Sequence, residues 1–319
     1  MKQALTLFLT ALCLACGCDR GEPCVACTEQ PVPRRLQLTL HRAVPDTKGA
    51  DGLQALESQV THCLLYVFSR SGHLVNCYQS ADGRFDFFLT DETYDFVAVA
   101  NKASLPLFGI AKADLYQTET TLAENGEDGF VMVGRLDNHL IESDEKITVE
   151  MQRLAAKVSY VIHTAFTGPL AAAPFQVDEV YLTNVAGRNN LALTDSLPAS
   201  NALWYNRMDR EDSDGAPLAL LQGGPCFYAY PNASPDSHDK TQWGSRCTRF
   251  VVKATLAGRI TYYPVTLASV RANHHYHIDL TIASFGVDHP EDLPQDYSGF
   301  ESRLTVVPWV SGASLQGNF

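Results

Sequence analysis

The chain has 319 residues, about twice the ~150 of an average domain, so its length predicts two domains. Hydrophobic residues make up 45% and charged residues 19%, which argues against a disordered chain or a coiled coil. The net charge is −12, and no basic run exceeds Arg34-Arg35, so sequence-independent nucleic-acid binding, which needs clustered cations, is not expected.

The chain opens on Met1-Lys2-Gln3, followed by an uncharged, mostly apolar run from Ala4 to Ala15. A helix needs about 20 such residues to span a bilayer, and this run has instead the size of a signal-peptide core. A bacterial lipoprotein signal ends in a small residue directly before a cysteine that is then acylated. Cys18 follows Gly17, with Ala15 at −3, and the polar stretch Asp19–Glu22 comes next. The expectation is a signal peptide over 1–17 and lipidation at Cys18, with Cys16 as the competing acceptor. An ordinary secreted protein with a cysteine-rich leader is the alternative.

Export implies an oxidising setting. Cys24 and Cys27 form a CxxC among prolines (Pro23, Pro31, Pro33), which reads as a tether and not as the helix-capping redox motif. Cys63 and Cys77 are equidistant from Arg70, so a hairpin of 61–68 with 73–78 would place them face to face, as a disulfide requires. Cys226 and Cys247 bracket a polar loop and pair in the same way; four thiols are the alternative.

The mature chain reads as β-structure. Leu36–His41 alternates apolar and polar residues with period 2, the mark of a half-buried strand. Leu64–Phe68, Arg84–Leu89 and Tyr94–Ala100 follow; a helical stretch is expected over Ile110–Tyr116. Phe130–Val133 and Ile147–Met151 close a first unit. A second unit begins near Arg153, with strands at Lys157–Ile162, Val177–Leu182, Cys226–Tyr230, Phe250–Leu256, Ile260–Val265, Tyr276–Ile282 and Leu304–Val310. Ala257-Gly258 makes a tight connection in which Gly258 suits a positive φ. Many short strands with turn signals in each half predict an all-β chain of two β-sandwiches in tandem.

No catalytic constellation emerges: there is no GxSxG, no HExxH and no glycine-rich phosphate loop, so the chain is not expected to be an enzyme. On a strand His275 and His277 share a face, as two metal ligands would, but a strand start after a turn explains them as well. Asp209–Gly215 looks like a calcium loop, except that aligning Gly215 with the loop glycine puts Arg210 at the first ligand position. No cofactor or metal is expected. Trp204, Tyr205 and Trp243 could form a sugar platform, though core or loop packing accounts for the first two.

Several segments, in this order, resemble the fimbrillins, the major fimbrial subunits of type V pili in Bacteroidales. A lipoprotein leader and polar tether precede a strand ending in Arg42, with Ala43 next. Phe96–Asn101 is similar to the family's apolar strand ending in Ala-Asn, and Arg153–Val158 to the start of its C-terminal domain. Thr261–Val265 and Arg271–Ile278 resemble two later family strands, and Val306–Trp309 the Trp-bearing C-terminal strand.

The resemblance implies two transthyretin-like β-sandwich domains: a tether and removable first strand over 18–42, domains over 43–152 and 153–319. It implies export to the outer membrane as an acylated (palmitate) lipoprotein and trimming by an arginine-specific protease. Polymerisation then follows by strand exchange with other copies of the chain. The cut expected is Arg42–Ala43; cutting at Arg34-Arg35 would leave the first strand in place. Removing Leu36, Leu38 and Leu40 would open a groove for a neighbour's donor strand, carried here by Leu304, Val306, Trp309 and Val310. Accessory fimbrial subunits, and host proteins or glycans, are further implied partners. A fimbrial anchor or tip, or a non-polymerising surface lipoprotein, are the competing readings.

Overall fold

The computed structural model describes residues 32–41, 57–125, 129–193, 226–233, 247–292 and 299–309, together with the backbone of 204–209. Cys18, Arg42, Ala43, Val310 and Trp243 lie outside the described residues, as do the side chains of Trp204 and Tyr205.

The N-terminal unit contains β1 (Arg34–His41), β2 (Cys63–Ser69), β3 (Leu74–Ser80), β4 (Arg84–Leu89), β5 (Thr93–Ala100), β7 (Met132–Leu140) and β8 (Glu145–Arg153). Their order is β3-β2-β5-β7-β8-β1-β4. Strand β7 meets β8 only through Met132–Gly134 against Met151–Arg153. The sheet turns there, and its two halves enclose one core holding Leu36, Leu38 and Leu40 with Leu65, Val67, Phe96 and Ala98. Gly134 makes the corner: a Cβ on it would lie 2.7 Å from Met151 Sδ and 2.8 Å from the Glu150 carbonyl oxygen, so no side chain fits.

Strands β2 and β5 are buried on both faces, which is why they read as near-continuous apolar runs. Their second face, with Tyr66, Phe68, Val97 and Val99, joins a larger core that continues into the C-terminal unit. At the end of β5, Asn101 adopts φ 58°. Its amide nitrogen donates to the carbonyls of Gln59 (2.7 Å) and Phe130 (2.9 Å), and its oxygen accepts from the Thr61 N–H (3.0 Å). A short amide side chain that tolerates the left-handed region and satisfies three backbone groups explains the Ala-Asn ending.

Beyond β5 come a short helix (Lys112–Gln117) and β6 (Glu119–Thr121). The C-terminal unit contains β9 (Ala156–Thr164), β10 (Phe175–Ala186), β11 (Arg188–Asn190), β12 (Trp204–Asp209), β13 (Cys226–Ala229), β14 (Thr248–Leu256), β15 (Arg259–Leu267), β16 (His274–Ile282) and β17 (Phe300–Pro308). Two four-stranded sheets result, β12-β10-β14-β15 and β13-β9-β16-β17, with β9 and β16 parallel. Ala257 (φ 50°) and Gly258 (φ 81°) form the tight turn between β14 and β15, both in the positive-φ region a two-residue hairpin demands. Strand β6 crosses from the first unit to pair antiparallel with β11 of the second, tying the two together.

The cysteine pairing expected in the first hairpin is corrected by its register. Cys63 lies opposite Ser80 and Cys77 opposite Tyr66, because the turn is centred on Ser71 and a bulge at Val67/Phe68 shifts the register by one residue more. Cys63 therefore faces the inner core while Cys77 packs against the other, on opposite faces of the sheet. Cys63, Cys77, Cys226 and Cys247 are all thiols in the structure, so neither expected disulfide is present.

Candidate polymerisation site

Strand β1 is not an edge. It runs antiparallel to β4, with Leu36 opposite Phe87 and Leu38 opposite Phe85. It runs parallel to β8, with Leu38 opposite Ile147 and Leu40 opposite Val149. Leu36, Leu38 and Leu40 are 0%, 1% and 6% exposed, the inward half of the alternation seen in the sequence. Each fully buried leucine contributes roughly 1.5–3 kcal/mol, so the apolar row holds the strand.

The outward side chains add little. Arg35 Nε and Nη2 donate to the two carboxylate oxygens of Asp86 at 2.9 and 2.5 Å. Hydrogen bonding to Asp86 raises the Arg35 pKa, and hydrogen bonding to Arg35 lowers that of Asp86. Both groups are about half exposed, so water screens the pair. His41 and Glu150 meet at 2.8 Å in equally open surroundings. The slot that β1 fills is walled by Phe85, Phe87 and Leu89 from β4 and by Ile147, Val149 and Met151 from β8, all buried.

Of the residues expected in the donor strand, Leu304, Val306 and Trp309 do not share one environment. Strand β17 is an edge strand paired antiparallel with β16, placing Leu304 opposite Ile278 and Val306 opposite Tyr276. Leu304 and Val306 are 36% and 38% exposed. Trp309 leaves the strand and is buried, 3% exposed, at the junction of the two units. Its indole N–H donates to Glu57 Oε2 at 3.3 Å, and its backbone N–H to the Asn273 carbonyl at 2.7 Å. The Arg153 guanidinium lies 4.5 Å from the ring centre and donates to the Trp309 carbonyl at 3.1 Å. Phe130 packs edge-on at 5.3 Å and Tyr228 stacks at 5.5 Å.

Glu57 organises this junction, and no sequence signal marks it. Its Oε1 accepts from Lys157 Nζ and from the Tyr228 hydroxyl, both at 2.6 Å, and its carbonyl accepts from Arg153 Nε at 2.7 Å. Burial pulls the Arg153 guanidinium down to about 10, with Glu57 opposing the shift, so it stays protonated at neutral pH. Burial, reinforced by the Glu57 charge, raises the Tyr228 hydroxyl well above its ordinary value.

His275 and His277 do share a face. Their Nε2 and Nδ1 lie 2.7 and 2.9 Å from Ser159 Oγ. Among the described residues no group of three or more His, Cys, Asp or Glu side chains is placed to hold a metal ion.

No protein-family model matches the chain. Over 173 residues, 51% of this chain, it is 26% identical to the protein named "Major fimbrium subunit FimC" of Porphyromonas gingivalis. The match covers 35% of that protein, so the chain spans about a third of the length of the curated relatives it matches. The crystal structure of a fimbrilin (fimA) from Porphyromonas gingivalis superposes with a TM-score of 0.64 at 15% identity, covering 88% of this chain and 99% of that one. The chain has the fimbrilin fold. The tip fimbrial protein Mfa3 of Porphyromonas gingivalis, with a C-terminal truncation, shares it at a TM-score of 0.59 and 14% identity, covering 87% of this chain and all of that one. The resemblance to the Bacteroidales fimbrillins, carried in the sequence by short ordered segments, thus extends to the whole described architecture, and the tandem all-β sandwiches stand.

Proposed function

We propose that this chain is a subunit of a cell-surface fimbria that polymerises by strand exchange. In this reading the precursor is exported as a lipoprotein acylated at Cys18, on the outer membrane. An arginine-specific protease then cuts between Arg42 and Ala43, removing β1 together with the lipid. The opened slot between β4 and β8 accepts a strand from the next copy. Head-to-tail contacts of this kind do not close on themselves and so build a filament. Other copies and accessory fimbrial subunits are the direct partners; host proteins or glycans are those the finished fibre would meet. The activity proposed is structural, with no catalysis.

One observation carries the reading. Strand β1 is an internal strand whose three leucines complete the first core, and its last residue, His41, immediately precedes Arg42. Its loss would uncover two rows of backbone hydrogen-bonding groups and an apolar trough at once, a template for another chain. The competing cut at Arg34-Arg35 falls within β1, opposite Leu89 and Phe88, where the backbone is already paired in the sheet.

The donor is narrowed by Trp309. For β17 to leave, its nine register pairs with β16 would have to open and Trp309 would have to quit the junction. The reading therefore assigns the donor to residues from Val310 onward, with Leu304 and Val306 staying on their own sheet.

The test is to incubate the purified precursor with an arginine-specific protease and run unboiled gels. Ladders of oligomers support a polymerising subunit. A trimmed protein that remains a single band supports an anchor, a tip or a non-polymerising surface lipoprotein instead.

A further inference from the structure

We propose that Trp309 is a fixed exit point for the C-terminal segment, a rivet that passes pull on the following residues into both units at once. The inference rests on the polymerising reading for its purpose, though its structural content can be tested without any polymer.

Among the described residues strand β17 has a neighbour on one side only, and its last residue, Pro308, lies opposite His274 at the start of β16. A pull on the chain beyond that point would open β17 from its C-terminal end, one pair after another, each opening costing little. Leu304 and Val306, more than a third exposed, add little resistance.

Trp309 stands where that unzipping would begin. Its backbone N–H and carbonyl are bound to Asn273 and Arg153, while its ring is held by Glu57, Arg153, Phe130 and Tyr228. Glu57, Arg153 and Phe130 belong to the first unit or its boundary; Tyr228 and Asn273 belong to the second. Before Pro308 can move, a buried indole has to leave an aromatic cage, and Arg153 and Glu57 each have to give up a partner together. A buried charged group left with an empty hydrogen-bonding site is costly, so the release is cooperative and not stepwise. The cation–π contact and the two ring pairs add to this because they too are out of water.

Glu57 gives the rivet a second consequence. It accepts from Trp309, Tyr228 and Lys157 together, so the end of β17, strand β13 and strand β9 are held by one carboxylate from the first unit. Tension arriving at Trp309 is thereby shared across the junction.

The experiment uses the full uncut precursor and hydrogen–deuterium exchange read by mass spectrometry. Trp309→Ala is expected to speed exchange of the β17 amides at least tenfold, with those of β1 unchanged as an internal control. Trp309→Phe keeps the ring contacts and loses the indole N–H; it is expected to give a smaller rise, about threefold, and serves if the alanine variant does not fold. Unchanged β17 exchange in the variant that folds overturns the proposal, since pairing with β16 would then suffice. After trimming, wild-type ladders on unboiled gels should survive heating to a higher temperature than Trp309→Phe ladders. Equal heat resistance also overturns the rivet, whereas a wild-type protein that forms no ladder counts against polymerisation and leaves the exchange result standing.

Discussion

Leu38 lies directly opposite Ile147 on the parallel neighbour β8, and both side chains are sealed in the first core. Truncating leucine to alanine removes three heavy atoms from so closed a site and leaves a cavity. Leu38→Ala should destabilise the uncut N-terminal unit by about 2–5 kcal/mol in chemical denaturation. Thr39→Ala, on the exposed side of the same strand, should stay within about 0.5 kcal/mol of wild type. Equal effects at the two positions would mean that the strand is not seated as described.

Gly134 allows β7 to cross β8 at the corner of the first sandwich. A methyl group there meets both the Met151 sulfur and the Glu150 carbonyl oxygen, and a backbone atom cannot swing away. Gly134→Ala should lower stability by about 1–3 kcal/mol, seen as a lower thermal midpoint. A midpoint unchanged within a degree would show that the corner has room.

Cys63 and Cys77 sit on opposite faces of their sheet. Peptide mapping of alkylated protein without reductant should recover both as modified thiols, even when the protein is purified under oxidising conditions. Burial pushes the Cys77 thiol up to about 11, which further slows its oxidation because the thiolate is the reactive form. A linked Cys63–Cys77 peptide would refute the register of β2 against β3.

His275 supplies a pH dependence. Burial above all, then Lys157 and His277, lowers its pKa to about 4, with Glu57 acting in the opposite direction. The folded value is below the unfolded ~6.5, so between the two the unfolded chain binds the extra proton. The stabilisation is complete above pH ~6.5 and is lost as pH falls toward 4, by an amount on the order of 2 kcal/mol. Thermal midpoints taken at steps from pH 7 to pH 4.5 should therefore decline, and decline less in His275→Gln. Parallel declines in the two proteins would assign the effect to other groups.

Much of this fold could be read from the chain. Leu36, Leu38 and Leu40 alternate with polar neighbours because one face of β1 is wet, and Arg84–Leu89 shows the same alternation of exposed and buried residues for the same reason. The two-sided runs of β2 and β5 read as buried strands because both of their faces meet a core. What escaped the reading depends on contacts distant in sequence. The bulge at Val67/Phe68 changes which residues face each other without altering composition, so the cysteine symmetry misled. Strands β6 and β11, three residues each, gain their stability from each other across 69 positions and show no periodicity of their own. Glu57 is a single acidic residue in an ordinary stretch, and only the fold brings Lys157, Tyr228 and Trp309 to it. Trp309 was legible as a marked residue of the last strand, but its departure from that strand into the junction was not.

The most direct measurement on the central claim is N-terminal sequencing of assembled fibres, alongside an Arg42→Ala precursor treated with the same protease. Fibres should begin at Ala43, and the variant should stay unpolymerised. Fibres that begin at Cys18 with the lipid still attached, or uncut precursor that assembles as readily as trimmed protein, would contradict the proposal that loss of β1 opens the chain to its neighbour.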